Sequence, residues 1–231
     1  GAATAGEAAA RLPQVGETRA FSVLNKKSEF DNVTAVLRFA GARSLVYVDQ
    51  KAPEGGFTDG DLANLAGEFE NPIHPTVTGA FGSESDLDGN GRVIILLTPS
   101  VNQLTGSGSD GYIGGFFFGL DLMRGQKGSN EGEIFYSLVP DPAGKVGPVL
   151  TRTQVLAILP AILAHEFEHM VHFNQRLLVG GSGHQDALWL SEAMAQMAED
   201  LVGSAFETAG APDKAQQYRL GNWSRARRFL Q

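Results

Sequence analysis

The sequence predicts an α+β fold, a mixed twisted sheet followed by long helices, on three observations. Short β-branched and aromatic runs occupy the first half of the 231 residues. Among them Val93-Ile94-Ile95-Leu96-Leu97 is apolar throughout, as expected of a strand buried on both faces. The second half carries helical patterns instead, an apolar stretch over residues 155–178 and another from Trp189.

Taken in order, residues 19–24, 33–39 and 44–49 read as strands, the last two joined by a turn containing Gly41. They define a small β-rich unit over 17–52, after a weakly ordered, small-residue segment over 1–16 of the kind that follows a removed export signal. Thr58-Asp59-Gly60-Asp61 opens a helix that runs to about residue 70, with Thr58 or Asp59 as cap and Asn71-Pro72 as terminator. Strand 92–98 follows, and the strand, helix, strand order predicts a right-handed parallel crossover. Residues 112–120 and 133–139 add two strands, and a long helix begins at residue 153. Pro160 falls inside that pattern, so the helix either kinks there or starts afresh. Residues 218–231 read as a closing helix with Leu220, Trp223 and Phe229. No glycine, proline or polar residue terminates it, so the natural chain is expected to continue. Residues 53–231 are read as the main domain.

Composition narrows the function classes. Lys and Arg total 18 against 26 Asp and Glu, a formal charge of −8, which speaks against a nucleic-acid partner. The one basic cluster, Arg225-Ala226-Arg227-Arg228, reads as a solvated helix face. Zero cysteines exclude disulfides and thiolate metal ligands. No apolar window long enough to span a membrane is free of charge, because His165 and Glu166 interrupt the longest one. Oligomeric state leaves no trace in the periodicity.

The interruption is itself informative. His165-Glu166-Phe167-Glu168-His169 is an H-E-x-x-H sequence, with two imidazoles one turn apart on one helix face. A catalytic zinc takes three protein ligands and leaves a fourth position for water or substrate. Glu166, beside the first histidine, is then the candidate general base for that water. Burying two histidines and a glutamate in an apolar helix without such a use would be costly. Glu168 points about 100° per residue away from its neighbours and so leaves the metal-facing side.

Three residues compete for the third ligand position. His172 lies seven residues past His165, roughly 10 Å along a continuous helix, too far to share its ion. His184 follows the Gly180-Gly181-Ser182-Gly183 break and stays as the alternative, although the chain does not show the H-x-x-G-x-x-H continuation, with Gln175 where its histidine would stand. Glu192, in Leu188-Trp189-Leu190-Ser191-Glu192-Ala193-Met194-Ala195, is the strongest, since a returning helix would bring it to the metal. Glu199 and Asp200, two turns later, are candidates to orient a ligating imidazole.

His165-Glu166-x-x-His169 followed by Trp189-Leu190-Ser191-Glu192-Ala193-Met194-Ala195 resembles the gluzincin arrangement of zinc peptidases. Val15-Gly16-Glu17-Thr18-Arg19-Ala20-Phe21, Asp86-Leu87-Asp88-Gly89-Asn90-Gly91, Gly111-Tyr112-Ile113-Gly114-Gly115 and Ser129-Asn130-Glu131 extend the likeness over most of the chain. With them it is similar to bacterial hyicolysin-like neutral metallopeptidases. The resemblance implies a zincin-like catalytic fold and a zinc endopeptidase that is secreted or held in the bacterial envelope and acts on peptide or protein substrates. By position it implies His165, His169 and Glu192 as zinc ligands and Glu166 as base. Ala193 departs from the glycine usual after the ligand glutamate. Gluzincins place a tyrosine or histidine oxyanion donor downstream, where Tyr218 is the candidate here, although a helix tyrosine in that position reads more simply as a packing residue. The aminopeptidase G-x-M-E-N motif does not occur, which favours an endopeptidase. The alternatives are a zinc hydrolase of a non-protein substrate and a catalytically silent calcium-binding surface or adhesion module.

Two further segments bear on function. Asp86, Asp88 and Asn90 alternate before a glycine, like the first half of an EF-hand loop, but Leu97 stands where the bidentate glutamate belongs. This half-match fits a calcium loop completed by other groups, such as Glu84, and equally a plain Asp/Asn/Gly turn. In residues 111–120, Gly114-Gly115 would let an extended peptide approach an edge strand closely, while Phe116-Phe117-Phe118 reads as core.

Overall fold

A computed structural model of the chain describes residues 12–106 and 111–229. Strand β1 (Thr18–Leu24) pairs antiparallel with β2 (Phe30–Ala40), and β2 with β3 (Ser44–Asp49). Alternation decides which face is buried: Phe21 and Val23 on β1, and Val33, Ala35 and Leu37 on β2, point into the core. The run Val93–Leu97 forms β4, buried at every residue because it lies between two parallel neighbours, β3 and β6 (Ile134–Ser137). Strand β5 (Gly115–Phe117) closes the far edge, antiparallel to β6. One six-stranded sheet results, in the order β1-β2-β3-β4-β6-β5, so residues 17–52 supply its first half.

The strand expected over 112–120 shrinks to three residues. Its pairing ends at Gly114, whose carbonyl accepts from Leu138 N and Ser137 Oγ, and a 3-10 turn begins at Gly119. A Cβ on Gly115 would stand 2.7 Å from the Tyr136 carbonyl, so only glycine permits this close approach.

Helix α1 (Asp59–Glu68) starts in a capping box between Thr58 and Asp61. Contrary to the reading of Asn71-Pro72 as a terminator, the chain stays helical. A π turn over Phe69–Ile73 absorbs Pro72, and α2 (His74–Phe81) follows directly. The wider turn accommodates the missing proline N–H, and Asn71 Nδ2 donates to the Gly67 carbonyl in its place. Short α3 (Pro99–Leu104) follows β4.

Helix α4 (Arg152–Phe173) opens with a second capping box, Thr151 with Gln154, and continues unbroken through Pro160. A π turn over Asn174–Val179 extends it. Helix α5 (Leu188–Thr208) returns along it, and α6 (Pro212–Phe229) begins earlier than residue 218 because Pro212-Asp213 makes a sound first turn. Leu220 and Trp223 on α6 are half exposed, each at 51%. The Phe229 side chain, residues 1–11 of the N-terminal segment and most of the 225–228 basic cluster fall outside what the structure describes; Arg227 is exposed. Among the described residues no helix is long and apolar enough to cross a membrane.

Candidate metal centre

Helix α4 is amphipathic in a way that sorts its motif residues. Leu163, Ala164, Phe167, Met170 and Val171 are buried against the sheet and α2, leaving His165, Glu166 and His169 on the partly buried side towards α5 and β5. There the structure brings His165, His169 and Glu192 together, with one ligand atom from each within 4.8 Å of the others. Glu192 Oε2 lies 3.4 Å from His165 Nε2, and its Oε1 lies 3.6 Å from His169 Nε2. A tetrahedral ion with bonds of about 2.0–2.2 Å holds neighbouring ligand atoms about 3.3–3.6 Å apart, and both Glu192–imidazole separations fall in that range.

The surroundings prepare the imidazoles. His165 Nδ1 is 2.7 Å from Glu199 Oε1, which makes Nδ1 the protonated nitrogen and frees Nε2 to ligate. Burial presses the His165 pKa down, but the Glu199 hydrogen bond and the charges of Glu166, Glu199 and Glu192 outweigh it and leave the value raised. His169 is pushed the other way, to about 4, by burial and by neighbouring His165, so it is neutral at pH 7 with a lone pair available. Its Nδ1 meets Ser191 Oγ at 3.1 Å, a contact to the residue just before Glu192.

Glu166 stands beside the trio. Its Oε2 accepts the backbone N–H of Phe117 on edge strand β5 at 2.9 Å. Burial pushes its carboxyl up to about 7, against the lowering effects of His165 and that N–H. A carboxyl so tuned exchanges protons near neutral pH. Glu168 points away from the histidine pair, as its helical position requires, and is fully buried with neither oxygen hydrogen-bonded among the described residues. Its nearest ionic neighbour is His169 Nδ1 at 3.7 Å.

The other sequence candidates lie elsewhere. His172 pairs with Asp186 at 3.0 Å on the wall of a cleft of about 260 Å³ beside His169, further lined by Phe117, Phe173 and Leu188. His184 is exposed and bonds locally with Ser182. Asp200 faces away from the metal group and holds Arg219 at 3.0 Å. Tyr218 is buried, and its hydroxyl donates to Glu68 Oε1 at 2.8 Å, next to the Lys214–Glu68 pair. Tyr218→Phe is therefore expected to cost stability, about 1–2 kcal/mol in urea unfolding, through the partner it withdraws from Glu68. Catalytic turnover, if present, should not change; a turnover loss without a stability loss would mean that this reading of Tyr218 is mistaken.

Sequence reasoning had no signal for Ser191 or for the Phe117 N–H, since both reach the site only through packing of α5 and β5 on α4. The acidic loop is rearranged as well. Glu84 pairs with His74 at 2.7 Å, and Asn90 turns its amide onto Asp88 Oδ2 at 2.6 Å. The residue that joins Asp86 and Asp88 is Glu133, at the entry to β6.

No protein-family model matches the chain. Over 189 residues, 81% of its length, it is 32% identical to the Neutral metalloprotease ShpI of Staphylococcus hyicus. The chain spans about two fifths, 41%, of that curated relative. Its α+β architecture, with two histidines and a glutamate converging from adjacent helices, accords with that likeness, and the chain is related to that neutral metalloprotease.

Proposed function

We propose that this chain is a zincin-like, zinc-dependent endopeptidase unit in which His165, His169 and Glu192 hold the metal and Glu166 is the general base. The observation that carries the proposal is the convergence of two imidazole nitrogens and a carboxylate at tetrahedral-edge distances, with a carboxyl of pKa about 7 alongside. Zinc in such a site supplies Lewis acidity and brings the pKa of water to about 7.

The protein's own groups do the rest. Glu166 takes the proton of the attacking water and returns it to the departing amine, and the Phe117 N–H holds one carboxylate oxygen in place while the other exchanges the proton. Glu199 and Ser191 fix the imidazole orientations. Strand β5 is the edge of the sheet beside the site, the kind of position at which an extended peptide adds to a sheet. The cleft lined by Phe117, Phe173 and Leu188 receives a substrate side chain. Secretion or residence in the envelope is proposed on the family resemblance alone. Relation to a metalloprotease favours a peptide substrate over a non-protein one or a silent binding module.

The test is hydrolysis of an unstructured protein by this chain and by Glu166→Ala, with zinc measured in both preparations. We expect zinc near one per chain in each and a turnover loss of at least about 10²-fold in the variant, the scale of a lost general base. Zinc-loaded protein that cleaves equally well with Ala at 166 would remove Glu166 from the mechanism. Failure to bind zinc would remove the whole proposal.

A further inference from the structure

The loop over residues 84–92 and the entry to β6 meet in a second acidic group, separate from the group formed by His165, His169 and Glu192. One carboxylate oxygen from each of Asp86, Asp88 and Glu133 lies within 4.8 Å of the others. Acidic side chains gather on many surfaces without purpose, but Glu133 is not on the surface. It is 1% exposed, and its two oxygens are treated differently. Oε1 accepts from Ser85 Oγ at 2.6 Å and from Leu87 N at 2.9 Å. Oε2 is buried with no hydrogen-bond partner among the described residues. A buried carboxylate oxygen is normally satisfied, and one left open among two more carboxylates is relieved by taking up a proton or by a cation that all three can share.

The loop is shaped for one. Gly89 and Gly91 take left-handed φ values of 71° and 65°, which lets the chain curl so that Asp86 and Asp88 converge. Gly91 N donates to Asp86 Oδ1 at 2.9 Å and Asn90 N to Asp88 Oδ1 at 3.2 Å, which holds both carboxylates in position. Arg19 influences Asp88 electrostatically, but its guanidinium donates to the Asn130 carbonyl at 2.9 Å. Without a cation the cluster is poorly compensated. Burial raises the Glu133 pKa, and Asp88 adds to the rise; burial likewise raises Asp88, with Asp86 contributing.

We propose that Asp86, Asp88 and Glu133 form a calcium site, in which the buried Oε2 of Glu133 supplies from a different strand the ligand that a contiguous calcium loop would draw from its twelfth position. Three carboxylates and no nitrogen or sulfur donor form a hard oxygen site, unlike the histidine-rich centre on α4. A flexible glycine-containing loop suits the variable geometry of calcium better than the strict octahedron of magnesium. The ion clamps the loop preceding β4 to the entry of β6, where Ile94 N already bonds the Glu133 carbonyl at 2.7 Å. Calcium here is structural and independent of the peptidase proposal.

Calcium chloride is titrated into the zinc-loaded chain in chelator-free buffer, with stoichiometry read by calorimetry and Tm by thermal unfolding. The expected result is one calcium per chain and a Tm that rises with calcium concentration. Glu133→Gln, which preserves shape and the Oε1 contacts, is expected to weaken binding at least tenfold and abolish most of the calcium-dependent Tm rise. Asp88→Asn serves as a second variant should Glu133→Gln fold poorly. His165→Ala is expected to retain the calcium response. No binding up to about 10 mM, above the ~10⁻³ M of weak calcium modules, would overturn the proposal. So would undiminished binding in both loop variants, or loss of the calcium response in His165→Ala, which would put the ion in the α4 centre.

Discussion

Glu192→Ala is expected to reduce the zinc affinity of this chain by at least about 100-fold, beyond the 10–100-fold typical of groups that only orient a ligand. Among the described residues Glu192 is the one carboxylate that reaches both imidazole nitrogens, at 3.4 and 3.6 Å, and alanine leaves two of the three proposed ligands where a catalytic zinc site needs three. The side chain is 42% exposed, so its removal should disturb packing little, and metal-free variant and wild type should unfold at similar urea concentrations. Glu199→Ala provides the graded comparison. It takes away the partner of His165 Nδ1 and should cost about 10–100-fold in affinity, with all three proposed ligands still present. Competition against a zinc-chelating dye reads both numbers. If Glu192→Ala bound zinc as tightly as wild type while His184→Ala did not, the ligand set would have to be redrawn around the exposed loop histidine.

The largest stability effect is expected at Phe167, the residue in the middle of the motif that never faces the metal. Its ring is 1% exposed and packs edge-to-face on Phe69 at 5.1 Å and stacked on His74 at 5.3 Å. Phe167→Ala should therefore lose about 3–5 kcal/mol, the transfer free energy of the ring plus the cavity left between α4 and α2. Phe167→Leu refills part of that volume and should lose less. Urea unfolding of the two variants checks the order. A loss under about 1 kcal/mol for the alanine variant would mean that the helices close over the gap, contrary to the packing described. The leucine variant should retain its zinc, because the imidazoles lie on the other side of the helix.

The local features of this protein were legible from residue order because they depend on the chain's own periods. Spacing of four places His165 and His169 on one helix face, apolar content marks β4 as central, and Thr58 with Asp61 starts α1. Even there, local rules missed when two principles competed. Pro72 was read as a stop, whereas a π turn absorbs it, because α2 gains burial against α4 by continuing.

What residue order could not supply is which distant groups meet. Glu199 and Asp200 are neighbours in sequence, yet α5 turns one to His165 and the other to Arg219, since successive helical residues diverge by about 100°. Glu84 looked suited to complete the acidic loop but is drawn to His74, while Glu133 reaches Asp86 and Asp88 because parallel pairing of β4 with β6 sets their ends side by side. The sequence by itself determined that α4 carries two imidazoles and a glutamate at the helical spacing of a candidate metal site. Only the tertiary structure decided how Glu166 is anchored to the edge strand, which carboxylate orients His165 and which one lies buried in the acidic loop. Those contacts depend on how the sheet and helices pack, and helical or strand periodicity carries no information about that.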